Sequence, residues 1–448
     1  MTMTTDDPFD CDPYPGRPRI LFIGWPESSH THSWIDLLRD APFNVRLFCL
    51  PSAEPPADWP VKCYLTSPAS APQAAGTRRS AFPPRRGSPS YYAYLQKQAV
   101  AHGILSSGSI GRAAARAAGV IERLYGARQP TTIERALADT VRRWRPDVIH
   151  TLGIDPASYL YNRARDAHGL EGIGRWIVQA RGGPDLALHR HVPHHSELIT
   201  AIFASCDHFV ADNALNYGLA EEMGLAPHKA RDPGMGVVSG AGGIDIEALA
   251  SLAGPKPSTR ERIIVWPKAY ETMTSKALPV FEAILKYWAQ LQPCRIEMLW
   301  LVQPEVQIWY DKLFPPEIKA HCPIFGRLSR SETLARIGKA RVMMAPSLSD
   351  GIPNTMMEAM ALGAVPLVSP LDTIVPVVRA EENVLFARNL YPDEIGEALV
   401  RFMNDDALVD RMAENNRIRI QEMADRTRVK AAANSYYEEI FALASELR

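Results

Sequence analysis

The sequence predicts an α/β protein with two domains, each organised around a parallel β-sheet. Short apolar segments alternate with helix-forming segments in two successive runs, which divide near residue 230. Residues 342–369 show the repeating unit most clearly, because they give an apolar strand, a loop, a helix and a second apolar strand. The chain has 448 residues, more than one hydrophobic core normally supports. We therefore expect an N-terminal domain over residues 18–230 and a C-terminal domain over residues 231–428.

The composition is that of an ordinary globular protein and excludes several classes. Hydrophobic residues make up 46% and charged residues 22% of the chain. The net charge of -1 gives no case for binding nucleic acid. Six cysteines are scattered without a Cys-x-x-Cys pair, which favours reduced thiols over a zinc site. The first ten residues do not resemble a signal peptide, and no apolar run is long enough to span a bilayer. These features predict a cytoplasmic protein whose membrane contact, if any, is peripheral.

The first part of the N-terminal domain carries a candidate ligand loop. After a loose tail expected over residues 1–17, residues 19–24 form an apolar strand, and the loop that follows contains His30 and His32. These two histidines are equally compatible with ligand binding and with the ordinary polar groups of a loop. Residues 66–90 are rich in Pro, Ala, Ser and Arg, which predicts an insertion or a mobile loop.

A second candidate loop follows the strand predicted at residues 175–180. It contains Arg181, Gly182 and Asp185. Ligands of open α/β sheets bind at the carboxyl ends of the strands, and glycine lets the backbone approach a ligand closely. We therefore expect these three residues to line the cleft between the two domains.

Two other clusters have a plain explanation as well as a functional one. Four histidines lie close together, but only His191 and His195 have the spacing to share one helix face, so the pattern favours cleft-rim histidines over a metal site. The helix-forming residues 91–145 are rich in arginine. They could face an anionic lipid-linked acceptor or a membrane surface, but a solvated face is the commoner explanation.

The most informative motif lies in the C-terminal domain, where Asp350 and Glu358 are separated by seven residues. Asp350 lies on the loop after a strand, and Glu358 lies in the first turns of a helix that begins near Pro353 and ends at Gly363. The free N–H groups at a helix start favour an anion, and carboxylates can accept hydrogen bonds from sugar hydroxyls. The alternative is a buried helix with a capping Asp and a solvated Glu.

Residues 349–363, which read SDGIPNTMMEAMALG, resemble the E-x7-E motif of the GT4-type retaining glycosyltransferases. The first acid is Asp here, and Arg181 stands where many of these enzymes have a histidine facing the donor sugar. The resemblance is clearest over residues 262–425. It implies the GT-B fold, in which two Rossmann-like domains face a cleft and a final helix, here residues 429–448, crosses back to the N-terminal domain.

The resemblance also implies roles for individual residues. Glu358 would bind the ribose of a UDP- or GDP-sugar, Asp350 the hydroxyls of the transferred sugar, and Lys268 and Lys276 the diphosphate. The nucleotide base would lie against Phe325, Gly326 and Arg327. Backbone N–H groups at the start of the helix would hold phosphate or sugar, within the set Gly351, Ile352, Pro353, Asn354 and Thr355. No bound cofactor or metal is expected.

The activity implied is transfer of the sugar to a hydroxyl acceptor, saccharide or lipid-linked, in polysaccharide or glycolipid assembly. Two alternatives stay open. One is a GT-B protein that binds or scaffolds without transfer, because the acid at position 350, the cation at position 268 and the residue at position 181 all depart from the family pattern. The other is a GT-B sugar-nucleotide epimerase.

Overall fold

The computed structural model describes residues 9–66, 76–81, 132–182, 184–230 and 242–445, and within these it contains two parallel β-sheets. Most of the predicted insertion at residues 66–90 and most of the basic segment at residues 91–145 lie outside the described residues. The predicted boundary at residues 230 and 231 also borders residues that are not described, so it stays a prediction.

The first sheet has seven strands in the order β4-β3-β2-β1-β5-β6-β7. Its strands are β1 Arg19–Gly24, β2 Asn44–Cys49, β3 Lys62–Leu65, β4 Arg78–Ser80, β5 Val148–Leu152, β6 Arg175–Ala180 and β7 His208–Ala211. The accompanying helices are α1 Ser29–Ile35, α2 Thr132–Trp144, α3 Tyr159–His168, α4 Pro184–Ala187, α5 Pro193–Ser205 and α6 Ala214–Glu222. Both neighbours of β1 run parallel to it, because Ile20 is paired with Val45 on one side and with Val148 on the other.

The second sheet has five strands in the order β12-β11-β10-β8-β9. Its strands are β8 Ile263–Trp266, β9 Arg295–Met298, β10 Val342–Ala345, β11 Val365–Val368 and β12 Leu385–Phe386. The helices are α7 Ile246–Ala250, α8 Leu278–Leu291, α9 Pro304–Leu313, α10 Pro316–Lys319, α11 Arg330–Lys339, α12 Asn354–Leu362, α13 Pro392–Asn404 and α14 Asp406–Ala424. Every residue of β8, β10 and β11 is buried, as expected for parallel strands covered on both faces.

Local sequence signals explain where the two helices beside the motif begin and end. α11 starts with a capping box, in which the Ser329 side chain accepts from the Glu332 N–H and the Glu332 carboxylate accepts from the Ser329 N–H. α12 ends at Gly363, whose φ of 77° lies in the left-handed region that glycine adopts most readily. These signals set the start of α11 and the end of α12, and the loop that carries Asp350 lies between β10 and α12.

The last helix, α15 Arg426–Ser445, packs on the first domain. Tyr437 is buried there, and its hydroxyl lies 3.1 Å from Trp34 Nε1 and 2.6 Å from His150 Nδ1. At the start of the helix, Arg426 donates two hydrogen bonds of 2.8 Å to Ser33. α15 therefore crosses back from the second domain to the first, as predicted for the final helix.

The segment before β1 differs from the predicted loose tail. Phe9 is buried, with its ring 5.0 Å from that of Tyr64, and the Arg46 guanidinium lies 5.1 Å from its centroid. The Asp12 carboxylate accepts hydrogen bonds from Arg19 and from the Trp144 indole. Residues 9–17 are thus tied to the first sheet by long-range contacts that local composition does not reveal.

Two secondary-structure predictions also need correction. α1 starts at Ser29, so His30 lies on a helix rather than in a loop. Within the predicted insertion, Arg78–Ser80 forms the edge strand β4.

None of the described helices combines the length and the hydrophobicity needed to cross a membrane.

The packing of α15 predicts the effect of shortening Tyr437. Tyr437→Phe removes two buried hydrogen bonds and should lower the free energy of unfolding by about 1–3 kcal/mol. Tyr437→Ala also opens a cavity and should cost about 3–5 kcal/mol. Urea unfolding followed by fluorescence measures both, with Tyr391→Phe as control because Tyr391 is 48% exposed. A Tyr437→Ala variant with the wild-type midpoint would contradict this packing.

Candidate active site

The candidate site lies where loops from the carboxyl ends of the two sheets meet. From the first sheet come Arg181 and Gly182, directly after β6; from the second come the loop after β8 and the loop after β10. The approach is close, since a Cβ added at Gly351 would lie 2.7 Å from Gly182 Cα and 3.0 Å from Asp212 Oδ2. The two domains therefore touch at this edge, and polar groups from both of them line one cleft.

Lys268 and Asp350 form an ion pair between the two loops of the second sheet. Their side chains are 23% and 26% exposed, so water reaches them only in part. Burial is the largest single influence on Lys268 and would lower its pKa, but Asp350 and Tyr270 together outweigh burial and the pKa is raised. Lys268 therefore carries its positive charge throughout the physiological pH range.

Lys276 is held by its own loop. Its Nζ lies 2.7 Å from Glu271 Oε1 and 2.8 Å from the Thr272 carbonyl. Asn389 joins this loop to the one carrying Asp350, because its side chain accepts from Lys276 N and donates to the Pro346 carbonyl. The ammonium is thus paired with Glu271, a residue outside the predicted set.

The start of α12 offers polar atoms to the cleft. Pro353 is the N-cap and supplies no side-chain hydrogen bond to the helix. Among the described residues, the buried atoms Asn354 Oδ1 and Thr355 Oγ1 have no hydrogen-bond partner. The first turn of α12 can therefore offer both backbone N–H groups and side-chain groups to a bound anion.

Glu358 is only 7% exposed and contacts a residue that the sequence did not single out. Its Oε1 accepts a hydrogen bond of 2.6 Å from Arg330 Nη2, at the start of α11. Burial raises the pKa of Glu358, and Arg330 partly offsets that rise. The guanidinium thus favours the charged form of a carboxylate that is otherwise poorly solvated.

The first domain contributes Arg181, Asp185 and Asp212. Asp185 Oδ2 accepts from the backbone N–H of Arg181 at 3.0 Å, and Asp212 Oδ2 accepts from that of Gly182 at 2.7 Å. Burial raises the pKa of both carboxyls to about 6, although these hydrogen bonds oppose the shift. Burial also lowers the pKa of Arg181 to about 10. The burial of three ionisable groups within one loop region is typical of a functional site.

His30 lies on α1 at the same cleft. Its side chain is exposed, yet protein atoms crowd the ring, and this crowding together with Arg181 and Lys268 lowers its pKa to about 4. Asp350 opposes that shift. His30 is therefore neutral at physiological pH and can both donate and accept a hydrogen bond.

The structure brings together some of the predicted residues and separates others. Arg181, Lys268 and Asp350 each act electrostatically on His30, and Lys268 is paired with Asp350. His32 lies 2.6 Å from the Pro26 carbonyl, and its ring centroid is 4.4 Å from that of Trp59, so its described contacts are within the first domain. Asp185 joins this group through the backbone N–H of Arg181, and Gly351 donates its own N–H to Asp350 Oδ1 at 2.9 Å. The predicted base segment Phe325, Gly326 and Arg327 is partly or fully exposed, and the Arg336 guanidinium lies 3.7 Å from the Phe325 ring centroid.

Sequence reasoning missed Asp212, Glu271 and Arg330. Asp212 could have been found, because it follows β7 directly and so lies at the same sheet edge as Arg181. Glu271 and Arg330 become visible only through their contacts with Lys276 and Glu358, which no sequence spacing indicates.

The histidine cluster does not share one helix face. His191 lies in a short 3-10 turn before α5, whereas His195 lies within α5 and bonds the Tyr159 hydroxyl at 2.8 Å. The His189 and His195 rings stack with centroids 4.6 Å apart. In the part of the chain that the structure describes, no three His, Cys, Asp or Glu side chains are arranged to hold a metal ion.

Comparison with known proteins supports the fold. Residues 316–419, which include the loop and helix of the motif, match the family described as glycosyl transferases group 1. This match covers less than half of the chain. No curated protein sequence matches.

Solved structures match over nearly the whole length. HepE of Anabaena in complex with UDP-glucose has 10% identity and a TM-score of 0.63, over 94% of this chain and 99% of that one. Sucrose-phosphate synthase from Thermosynechococcus elongatus has 13% identity and a TM-score of 0.63, over 95% and 100%. A Listeria monocytogenes protein assigned as a UDP-N-acetylglucosamine 2-epimerase has 11% identity and a TM-score of 0.56, over 95% and 98%. The predicted GT-B fold, with two Rossmann-like domains, is confirmed.

The contact between the domains predicts the effect of adding one methyl group. Gly351→Ala should push the two loops apart, because its Cβ would overlap Gly182. We expect a larger radius of gyration by small-angle X-ray scattering. Gly218→Ala is the control, since a Cβ there meets nothing within 4 Å. Identical scattering from both variants would show that the contact does not set the separation of the domains.

The raised pKa of Asp212 predicts a pH dependence of stability. A carboxyl with a pKa of about 6 in the folded protein and about 3.8 unfolded makes folding less favourable as pH rises from 4 to 6. Asp212→Asn has no such proton to lose. Its stability relative to wild type should therefore rise by roughly 2–3 kcal/mol between pH 4 and pH 7.

Urea unfolding at several pH values measures this difference, with the exposed Asp58→Asn as the control. Parallel stability curves for Asp212→Asn and wild type would be inconsistent with a buried, titrating Asp212.

Proposed function

We propose that the protein is a retaining glycosyltransferase of the GT4 type, which moves a sugar from a nucleotide diphosphate sugar to a hydroxyl acceptor. The observation that carries the proposal is the Lys268–Asp350 ion pair beside the start of α12 in the cleft. A cation, a sugar-binding carboxylate and a helix N-terminus are the groups that an activated sugar needs. A GT-B protein of the same fold, HepE, was crystallised with UDP-glucose, which supports this class of donor.

The diphosphate is assigned to Lys268, Lys276 and the first turn of α12. Lys276 is paired with Glu271, so its position is fixed before the donor binds. Negative charge grows on the leaving diphosphate as its bond to the sugar breaks, and preorganised cations stabilise that charge. Because lysine and backbone groups supply the positive charge, the proposal includes no bound metal.

The nucleoside is assigned to Glu358 and the segment from Phe325 to Arg327. Arg330 uses one of the several acceptor positions of the Glu358 carboxylate and leaves the others for the ribose hydroxyls. Arg330 also favours ionisation of Glu358, and an ionised carboxylate accepts stronger hydrogen bonds than a neutral acid. Asp350 is assigned to the hydroxyls of the transferred sugar.

The mechanism we propose uses no protein nucleophile. The bond between the anomeric carbon and the diphosphate breaks, and the acceptor oxygen bonds to that carbon on the same face. The acceptor proton passes to the leaving phosphate oxygen. The role of the protein is to orient both substrates and to stabilise the phosphate charge.

An epimerase is the second candidate, because the Listeria protein assigned as one shares the fold. A binding protein without transfer is the third, since each lysine of the cleft already has a carboxylate partner. The proposal also assigns the protein to polysaccharide or glycolipid assembly. It further includes a cytoplasmic location and peripheral contact with a membrane.

The test is incubation with UDP- and GDP-sugars and a panel of saccharide and lipid-linked acceptors. Acceptor-dependent release of UDP or GDP, measured by chromatography, supports a transferase. Interconversion of the free sugar nucleotide would instead identify an epimerase, and tight binding without turnover would identify a binding protein.

Lys276→Ala should slow turnover by roughly 100- to 1000-fold, because it removes one charge that stabilises the leaving group. Lys286→Ala is the matched control, since Lys286 lies on the surface with 60% of its side chain exposed. Thermal unfolding should be similar for the two variants. Undiminished activity of Lys276→Ala would remove Lys276 from the site.

A further inference from the structure

Arg181 has a guanidinium whose hydrogen bonds are incompletely satisfied. Its Nε donates to Gln179 Oε1 at 3.2 Å. Its Nη2 is buried and, within the described residues, has no hydrogen-bond partner. A guanidinium has five N–H donors and loses water when buried, so an unpaired nitrogen is unfavourable unless a ligand completes it.

The neighbouring carboxylates do not complete it. Asp185 Oδ2 accepts from the Arg181 backbone N–H and, at 3.4 Å, from Ile154 N. Asp212 accepts from Gly182 N through one oxygen and from the Asn213 side chain through the other. Both carboxylates attract the guanidinium at longer range, but the hydrogen bonds described here join them to other donors.

The position of Arg181 indicates which part of a donor it would face. Its neighbour Gly182 packs against Gly351, the residue after Asp350. Lys268 is paired with Asp350 on the facing loop, and both of them, like Arg181, act electrostatically on His30. Asp350 is the residue assigned to the sugar hydroxyls, and the residues assigned to the diphosphate lie on the second domain. Arg181 therefore belongs on the sugar side of the cleft.

We propose that Arg181 binds a carboxylate carried by the transferred sugar, so that the donor is a nucleotide diphosphate hexuronate. This inference rests on the proposed function and specifies its substrate class. A planar guanidinium matches the two oxygens of a carboxylate, which a neutral hydroxymethyl group cannot do. Lys268 is already neutralised by Asp350, so Arg181 is the cation left for a second anionic group of the donor.

Calorimetric titration of the full chain tests the proposal with two matched pairs of donors: UDP-glucuronate against UDP-glucose, and GDP-mannuronate against GDP-mannose. The wild type should bind one hexuronate roughly 10- to 100-fold more tightly than its neutral counterpart, the range expected for hydrogen bonds between charged groups. Arg181→Gln should abolish that preference while keeping the affinity for the neutral sugar. Arg181→Lys should retain part of it.

Arg379→Gln is the matched control, because Arg379 has 79% of its side chain exposed and should leave the preference unchanged. If the wild type binds both members of each pair with equal affinity, the hexuronate inference is wrong, but the proposed function is not affected. If no nucleotide sugar binds, the proposed function fails as well. The comparison within the wild type decides the question even if Arg181→Gln does not fold. Arg181→Gln could instead lose affinity equally for UDP, UDP-glucose and UDP-glucuronate. That result would place Arg181 on the diphosphate and would also overturn the hexuronate inference.

Discussion

The close approach of Gly182 to Gly351 is the constraint on which the chemistry of the cleft depends. Because neither residue has a side chain, two loops from different sheets meet backbone to backbone. Arg181, Asp212 and His30 lie at this edge of the first sheet, and the protein atoms around each group shift its pKa. Electrostatic interactions are stronger in such a site than in water, so a few side chains can discriminate between ligands of different charge.

The two sides of the cleft differ in how their charges are balanced. On the second domain the two lysines of the cleft each contact a carboxylate, Asp350 for Lys268 and Glu271 for Lys276. A diphosphate would enter by exchanging partners there, which limits the cost of holding two cations in a partly dry site. Arg181 on the first domain is balanced only at longer range. In the proposed complex with a donor, the first domain therefore discriminates between charged and neutral sugars more strongly than the second domain does.

The sequence predicts local features of this protein well and long-range ones poorly. The apolar runs of β10 and β11 and the glycine that ends α12 follow from residues close together in the chain, and their positions are correct. The packing of Phe9 and the pairing of Arg330 with Glu358 depend on residues 28 or more positions apart, which no periodicity encodes. Asp350 was predicted from its place on the loop after a strand, and Lys268, 82 positions away, from a resemblance to a known family. Neither argument indicated that the two residues contact each other.

The return of α15 to the first domain has a consequence for biosynthesis. Tyr437 packs against Trp34 and His150, so part of one face of the first sheet is covered by α15. During translation, this part of the apolar face stays exposed until the second domain and then α15 have emerged from the ribosome. Nascent chains of this protein should therefore depend on chaperones that shield the N-terminal half until synthesis ends.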